Sequence, residues 1–244
     1  MRALLWGLVW LCQMAAVQAA EDITLFTYQQ QPPYVVNFDA QQGLYFDLAQ
    51  RLEELLPAYH FSVRDLPRRR LDRLLANDQL DGLVVGVSTG WFAQSPHYTF
   101  SQAFLDDANV LVSRAQGEGS RLSLQTLAGH RLGLVTGHQY PELGETLLAG
   151  KVSREDSVSE STNLERLRRG WIDATVVGER TLAFLTRQQP ELVEQIVVAQ
   201  PALYVYRRHL LVPTRYKALL PQLNQALDAL VKDSAWQAKL ASYR

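Results

Sequence analysis

From Ile23 onward, short apolar runs alternate with segments of helical period, and the alternation occurs twice. Apolar runs of four to eight residues suit strands, and leucines every three or four residues suit one face of a helix. Residues 23–28 read as a strand, ended by Gln31-Pro32-Pro33. Leu44, Leu48, Leu52, Leu55 and Leu56 fall at helical spacing, and Pro57 stops that helix. Phe61 and Val63 mark a second strand, and Leu71, Leu74 and Leu75 a short helix. Leu83-Val84-Val85-Gly86-Val87 is continuously apolar, as in a strand covered on both faces. This βαβαβ order predicts a parallel sheet flanked by helices.

The second round starts with a strand at residues 108–113 and a glycine-rich break at 116–120. Strands at 131–135, 173–177 and 195–199 follow, with helices expected at 140–148 and around Leu164 and Leu167. Leu219, Leu220, Leu223, Leu227 and Leu230 mark a long C-terminal helix. The pattern predicts two α/β lobes, with ligands at the carboxyl ends of the strands.

The first nineteen residues stand apart. Arg2, an apolar run at residues 4–11 and the small-residue ending Val17-Gln18-Ala19 form the layout of a secretory signal peptide, with cleavage expected after Ala19. Cys12, Met1 and Met14 leave with it, so the mature chain has no cysteine for thiol catalysis or thiolate metal sites. The 24 basic and 25 acidic residues give a net charge of −1, which offers no bulk attraction for nucleic acid. His60, His97, His130, His138 and His209 form no i, i+4 pair, and no metal site is expected. Neither a phosphate loop nor a dinucleotide fingerprint occurs, so no cofactor is expected.

The order of phrases resembles family 3 of the bacterial extracellular solute-binding proteins, from about Ile23 to the C-terminus. Gln31-Pro32-Pro33-Tyr34 is similar to that family's "YPPF", and Gly43-Leu44-Tyr45-Phe46-Asp47-Leu48-Ala49 to its "GFDVDLA". Residues 66–87 follow "VPWDRLLPALQSGKYDLIIAGM" without a gap, residues 127–134 resemble "LKGKRVGV", and residues 170–174 resemble "AGRVDA". The resemblance implies a two-lobed periplasmic binding protein-like II fold, each lobe a mainly parallel sheet flanked by helices, joined by two hinge crossovers. Crossovers are expected near residues 108–113 and 201–206. Lobe 1 would comprise residues 20–110 with 203–244, and lobe 2 residues 111–202. The implied protein is a monomeric periplasmic receptor that closes on a small molecule and delivers it to the membrane subunits of an ABC importer.

The amino-acid clamp of that family is incomplete here. Its carboxylate-binding arginine falls at Ala93, its amine-binding acid at Gly178 with Glu179 beside it, and its stacking aromatic at Gln31. Atypical specificity is therefore expected, with a small polar ligand that is anionic or amino-acid-like. Arg68, which replaces an aromatic that commonly faces the cleft, either grips an anion in bidentate fashion or opens a solvated helix. Trp91 and Phe92 are cleft walls or core, and Tyr28 stands at a strand end. Ser88 and Thr89 offer hydroxyl and backbone donors. Gly137, His138 and Gln139 lie between a strand and a helix, where backbone N–H groups face an anion or His138 caps the helix. Asn163 is a cap or a contact.

Two enzymatic readings stand beside this one. Gly86-Val87-Ser88-Thr89-Gly90 matches G-x-S-x-G, with Asp173 and His209 in triad order, but no good helix follows the serine. A dehydratase on the receptor fold, similar to cyclohexadienyl dehydratase, would use Glu179 as general acid, or would start a helix with it. The reading preferred is a receptor and not an enzyme. A ligand-sensing partner of a membrane receptor is the other alternative.

Overall fold

The structure is a computed structural model that describes residues 20–144 and 150–243. The expected signal segment and the end of the helix expected at 140–148 lie outside the described residues. Among those described, no helix is long and apolar enough to cross a membrane.

The first lobe opens with β1 (Glu21–Thr27), α1 (Leu44–Leu55), β2 (Tyr59–Asp65), α2 (Arg68–Ala76) and β3 (Leu83–Val87). β1 pairs in parallel with β2 and with β3, as the βαβαβ order requires. A 3-10 turn at Thr89–Trp91 and the short β4 (Tyr98–Phe100) follow. The chain then crosses over in β5 (Leu105–Arg114). The second lobe holds β6 (Arg131–Val135), β7 (Ser153–Ser157), α3 (Glu160–Arg168), β8 (Ala174–Gly178), α4 (Glu179–Gln188), α5 (Leu192–Gln195) and β9 (Ile196–Val198). β10 (Tyr204–Pro213) returns the chain, and α6 (Leu220–Lys232) and α7 (Ser234–Ser242) close it.

The strands run in the order β2-β1-β3-β10-β5-β8-β6-β7, with β4 on β10 and β9 on β5. The inner pairs of each lobe are parallel, and both crossover strands are antiparallel to their neighbours. The ten-residue β5 and β10 join the two halves by pairing Tyr204 with Asn109 through Arg208 with Leu105. Alternation assigns their side chains to two faces. Val110, Val112 and Val177 pack with Leu164, Leu167 and Leu182 on one face. Leu111 and Val176 pack with Leu132 and Leu134 on the other. In the first lobe, Leu83, Val85 and Leu210 meet α1 and α6, while Val84, Val87 and Leu211 meet Leu71 and Leu75 of α2. β3 is thus buried on both faces.

Two elements carried no sequence signal. β7 reads SREDS and is an edge strand with no buried residue, so it shows no apolar period. β4 has three residues, all half-buried. At the expected 140–148 helix, the described part is a 3-10 turn at Pro141–Leu143.

A charged pair lies in the interior where the crossover strands meet. Arg208 is 1% exposed and Asp107 4%. Arg208 Nε and Nη2 donate to Asp107 Oδ2 at 3.0 and 2.7 Å, and Nη1 donates to Gln29 Oε1 and to the Gly86 carbonyl, both at 2.7 Å. Tyr206 donates to Asp107 Oδ2 at 3.0 Å, Tyr34 donates to the same oxygen, and the Ala108 N–H reaches Oδ1 at 2.9 Å. Burial pushes the Asp107 carboxyl up, but Arg208, the Tyr34 hydroxyl and the Ala108 N–H outweigh it and hold the group below its ordinary value. Gly86 is required here: its φ is +76°, and a Cβ would stand 1.7 Å from the Tyr45 hydroxyl.

Removing one partner of such a pair strands the other charge. Asp107→Asn or Arg208→Met is expected to lower unfolding free energy in urea by about 3–5 kcal/mol. The double variant Asp107→Asn with Arg208→Met is expected to lose less than the two single losses combined, because no charge is left buried. Additive losses would show that the two groups act independently.

Candidate functional site

The strand ends of the two lobes face each other across a cleft. Its outer part, about 510 Å³, is lined by Tyr28, Gln31, Asp65 and Arg68 from the first lobe and by Thr136, His138, Ser159 and Glu160 from the second. A smaller inner pocket, about 20 Å³, adds Gln29, Trp91, Asn109, Gln139, Tyr140 and Tyr206. Tyr28, Gln31, Arg68, His138 and Glu160 line both.

Local structure sets each of these groups. Pro67 precedes α2 and leaves Arg68 as its first residue, next to the end of β1. The Arg68 guanidinium lies 4.4 Å from the Phe92 ring centroid and 5.1 Å from that of Tyr28. Nη2 donates to the Trp91 carbonyl at 3.1 Å, and Nε to Asp72 at 2.8 Å. Stacking on two rings and two hydrogen bonds hold the fork in one orientation. Arg69 and Arg70 are exposed, so a single residue of the triplet faces the cleft. Trp91 packs on Tyr206 at 4.8 Å between ring centroids, and its Nε1 is buried with no acceptor.

The second lobe answers with His138, Tyr140 and Glu160, and the crossover strand β5 adds Asn109. The Tyr28 and His138 rings meet edge to face at 6.2 Å across the cleft. Burial, helped by the charges of Arg68 and Arg208, pulls the His138 pKa down to about 4, so its ring is neutral at pH 7. Asn109 Nδ2 donates to Glu142 Oε1 at 2.9 Å. Glu160 opens α3, is 5% exposed, and accepts the Gly178 N–H at 3.3 Å. Burial pushes its pKa up to about 7, with Asp107 adding to the rise and the Gly178 N–H and Arg208 opposing it.

The structure places the sequence candidates unevenly. Tyr28, Arg68, Trp91, His138 and Gln139 come together on the cleft. Phe92 stands behind Arg68 as a stacking partner. Ser88 is buried, with its carbonyl accepting the Trp91 N–H, while Thr89 and Gly137 are exposed beside the lining residues. The anion cradle expected at residues 136–140 is largely spent: the Thr136 and His138 N–H groups donate to Ser157 and Val135. Asn163 is neither cap nor cleft residue. It is fully buried inside α3, donates to the Leu134 carbonyl at 3.0 Å and accepts from Arg166, while Ser159 caps the helix. Glu179 is exposed at the start of α4 and lines a separate hollow with Asp106 and Val205. The carboxylates on the cleft are Asp65, in its outer part, and Glu160, which lines both parts. The hydrolase triad is not assembled: Asp173 pairs with Arg131 at 2.9 Å, and His209 Nδ1 lies 2.8 Å from the Ser101 carbonyl.

Sequence reasoning missed Asn109, Glu160 and the pair beneath the site. Glu160 follows Ser159 and precedes Thr162, a helix-start pattern in which an acid reads as a partner of the helix dipole.

No family model matches the chain, and no curated protein matches it. Solved structures do. An ancestral arginine-binding protein bound to arginine superposes with a TM-score of 0.74 at 17% identity, covering 91% of this chain and 97% of that one. The GluR0 ligand-binding core from Nostoc punctiforme, in complex with L-glutamate, gives 0.72 at 14%, covering 91% and 98%. A histidine kinase sensor domain with similarity to periplasmic binding proteins gives 0.73 at 16%, covering 92% and 96%. The fold is that of the two-lobed periplasmic binding proteins.

The raised pKa of Glu160 has a consequence for stability. The folded state keeps a proton that the unfolded chain releases between pH 4.5 and about 7, so this group makes stability fall as pH rises through that window. His138 acts in the opposite sense over the overlapping window from about pH 4 to 6.5, where stability rises with pH. Glu160→Gln removes the first effect alone. In urea unfolding, the variant is expected to gain about 3 kcal/mol over the wild type at pH 8 and under about 1 kcal/mol at pH 5. An equal difference at both pH values would show that the carboxyl titrates normally.

Proposed function

We propose that this protein is a periplasmic solute-binding receptor. It captures a small polar ligand between its lobes, holds an anionic or acceptor group of that ligand on Arg68, and delivers it to an ABC importer. The observation that carries the reading is the Arg68 guanidinium, held between two aromatic rings on a cleft of about 510 Å³ that both lobes line. Guanidinium groups fixed in this way bind carboxylates with two parallel hydrogen bonds. The neighbours bound to arginine and glutamate support a ligand of amino-acid size.

Residues 20–110 with 203–244 form lobe 1 in this reading, and residues 111–202 form lobe 2. Residues 1–19 are the export signal. Glu179 lines a separate hollow with Asp106 and Val205, so the residue that the dehydratase reading named as general acid is not among those lining the cleft. Sensing by a membrane-bound partner is the second reading, favoured by the similarity to the histidine kinase sensor domain.

The test is thermal unfolding against amino acids, dicarboxylates, polyamines and sugar acids. A ligand in hundredfold excess over its Kd stabilises the native state by about 2.7 kcal/mol. A compound bearing a carboxylate is expected to raise Tm in the wild type and to lose at least tenfold in affinity with Arg68→Ala. Affinity indifferent to Arg68 would overturn the assignment, and conversion of the bound compound would replace the receptor with an enzyme.

A further inference from the structure

Three arginines of α2 take no part in the cleft. The helix reads RRRLDRLLA over residues 68–76 and buries Leu71 and Leu75. Arg68 turns to Asp72 and to the rings of Phe92 and Tyr28. Successive residues of a helix lie about 100° apart, so Arg69, Arg73 and Arg70 share an arc of about 100° opposite the two leucines. All three are exposed, and they make the outer face of the helix cationic.

Local physics opposes this arrangement. Arg69 and Arg70 stand in the first turn, where the helix dipole disfavours cations, and that turn holds no acidic residue. Arg69 and Arg73 are an i, i+4 pair of like charges and repel each other. The nearby acids are turned elsewhere: Asp72 pairs with Arg68 at 2.8 Å, Asp78 lies 3.9 Å from His97, and Asp65 lines the cleft. Among the described residues, no ion pair or side-chain hydrogen bond includes Arg69, Arg70 or Arg73. A chain with a net charge of −1 has no general excess of cations to explain them. Neither the fold nor the cleft uses these charges.

Their position and chemistry indicate what does. The helix begins at the rim of the cleft, where Asp65, Pro67 and Arg68 line its outer part. No large apolar side chain is exposed on α2, so the face lacks the anchors by which a helix lies in a bilayer. Closely spaced guanidinium groups match carboxylates, and complementary charge of this kind steers protein association. We propose that the outer face of α2 docks an acidic segment of a protein partner beside the mouth of the cleft. The proposal rests on the reading above, in which a receptor or a sensor meets a protein partner, and it names the chemistry of that partner's surface.

The experiment is fluorescence anisotropy of a labelled peptide of alternating Glu and Ser, with its Gln-for-Glu counterpart as control. Wild type is expected to bind the Glu peptide, more weakly as salt rises, and not the Gln peptide. Arg69→Glu with Arg70→Glu is expected to lose at least tenfold in affinity. Lys217→Glu with Lys232→Glu makes the same change in net charge on other exposed surfaces and is expected to keep it. The arginine double variant is also expected to melt at a higher temperature, because its new carboxylates suit the helix start and pair with Arg73. Peptide affinity equal in wild type and the arginine variant overturns the proposal, as does an equal loss in the lysine variant. A fall in Tm of the arginine variant overturns it too, since the arginines would then serve the fold. Arginine-dependent sedimentation with phosphatidylglycerol vesicles, without peptide binding, replaces the acidic partner with a lipid surface. The small-ligand test of the receptor reading involves Arg68 and not these three residues, so failure here leaves that reading standing.

Discussion

The buried contact between Asp107 and Arg208 organises the centre of this molecule. Its two residues lie on the crossover strands β5 and β10, so the pair ties together the segments that join the lobes. Desolvating two charges is unfavourable, and only a full set of hydrogen bonds offsets it. That set recruits Gln29 beyond the end of β1, Tyr34 from the loop after it, the Gly86 carbonyl of β3 and Tyr206 of β10. Four separate parts of the chain are thereby held at one point, directly beneath the cleft.

The site depends on that floor. Tyr206 spans the two environments, donating to Asp107 below while its ring packs against Trp91 in the wall of the inner pocket. Arg208 lies 5.7 Å from the Trp91 ring centroid, and its charge contributes to keeping His138 neutral. Above this ionic floor the cleft is lined mainly by polar groups, among them Gln31, Arg68, His138 and Glu160. Where the inner end excludes water, each hydrogen bond or charge contact discriminates more strongly than it would in water.

Much of the fold was legible because hydrophobic period reports burial directly. The run at residues 83–87 announced a strand covered on both faces, and α1, β3 and α6 followed from leucine and valine spacing alone. The edge strand β7 was silent because none of its residues is buried. For the site, residues next to strand ends were readable, including Tyr28, Arg68 and His138. Asn163 and Glu179 misled for one physical reason: polar residues at helix starts serve caps, dipoles and internal struts as readily as ligands. The interior charges left a trace that was not used. Asp107 and Arg208 stand next to Asp106 and Arg207 in strands that are largely buried, so alternation puts one charge of each pair inside, where an unpaired charge is not tolerated.

By itself, the sequence determined the α/β class, the order of strands and helices, the two-lobed plan and the apolar faces, because each depends on local period and on segments adjacent in the chain. Tertiary structure alone decided which charges meet. Arg208 and Asp107 are 101 residues apart, and Glu160 reaches Gly178 across 18. The cleft is lined by residues from 28 to 206. Pairings over such separations have no period, and they exist only once the strands are in register and water has been excluded from between them.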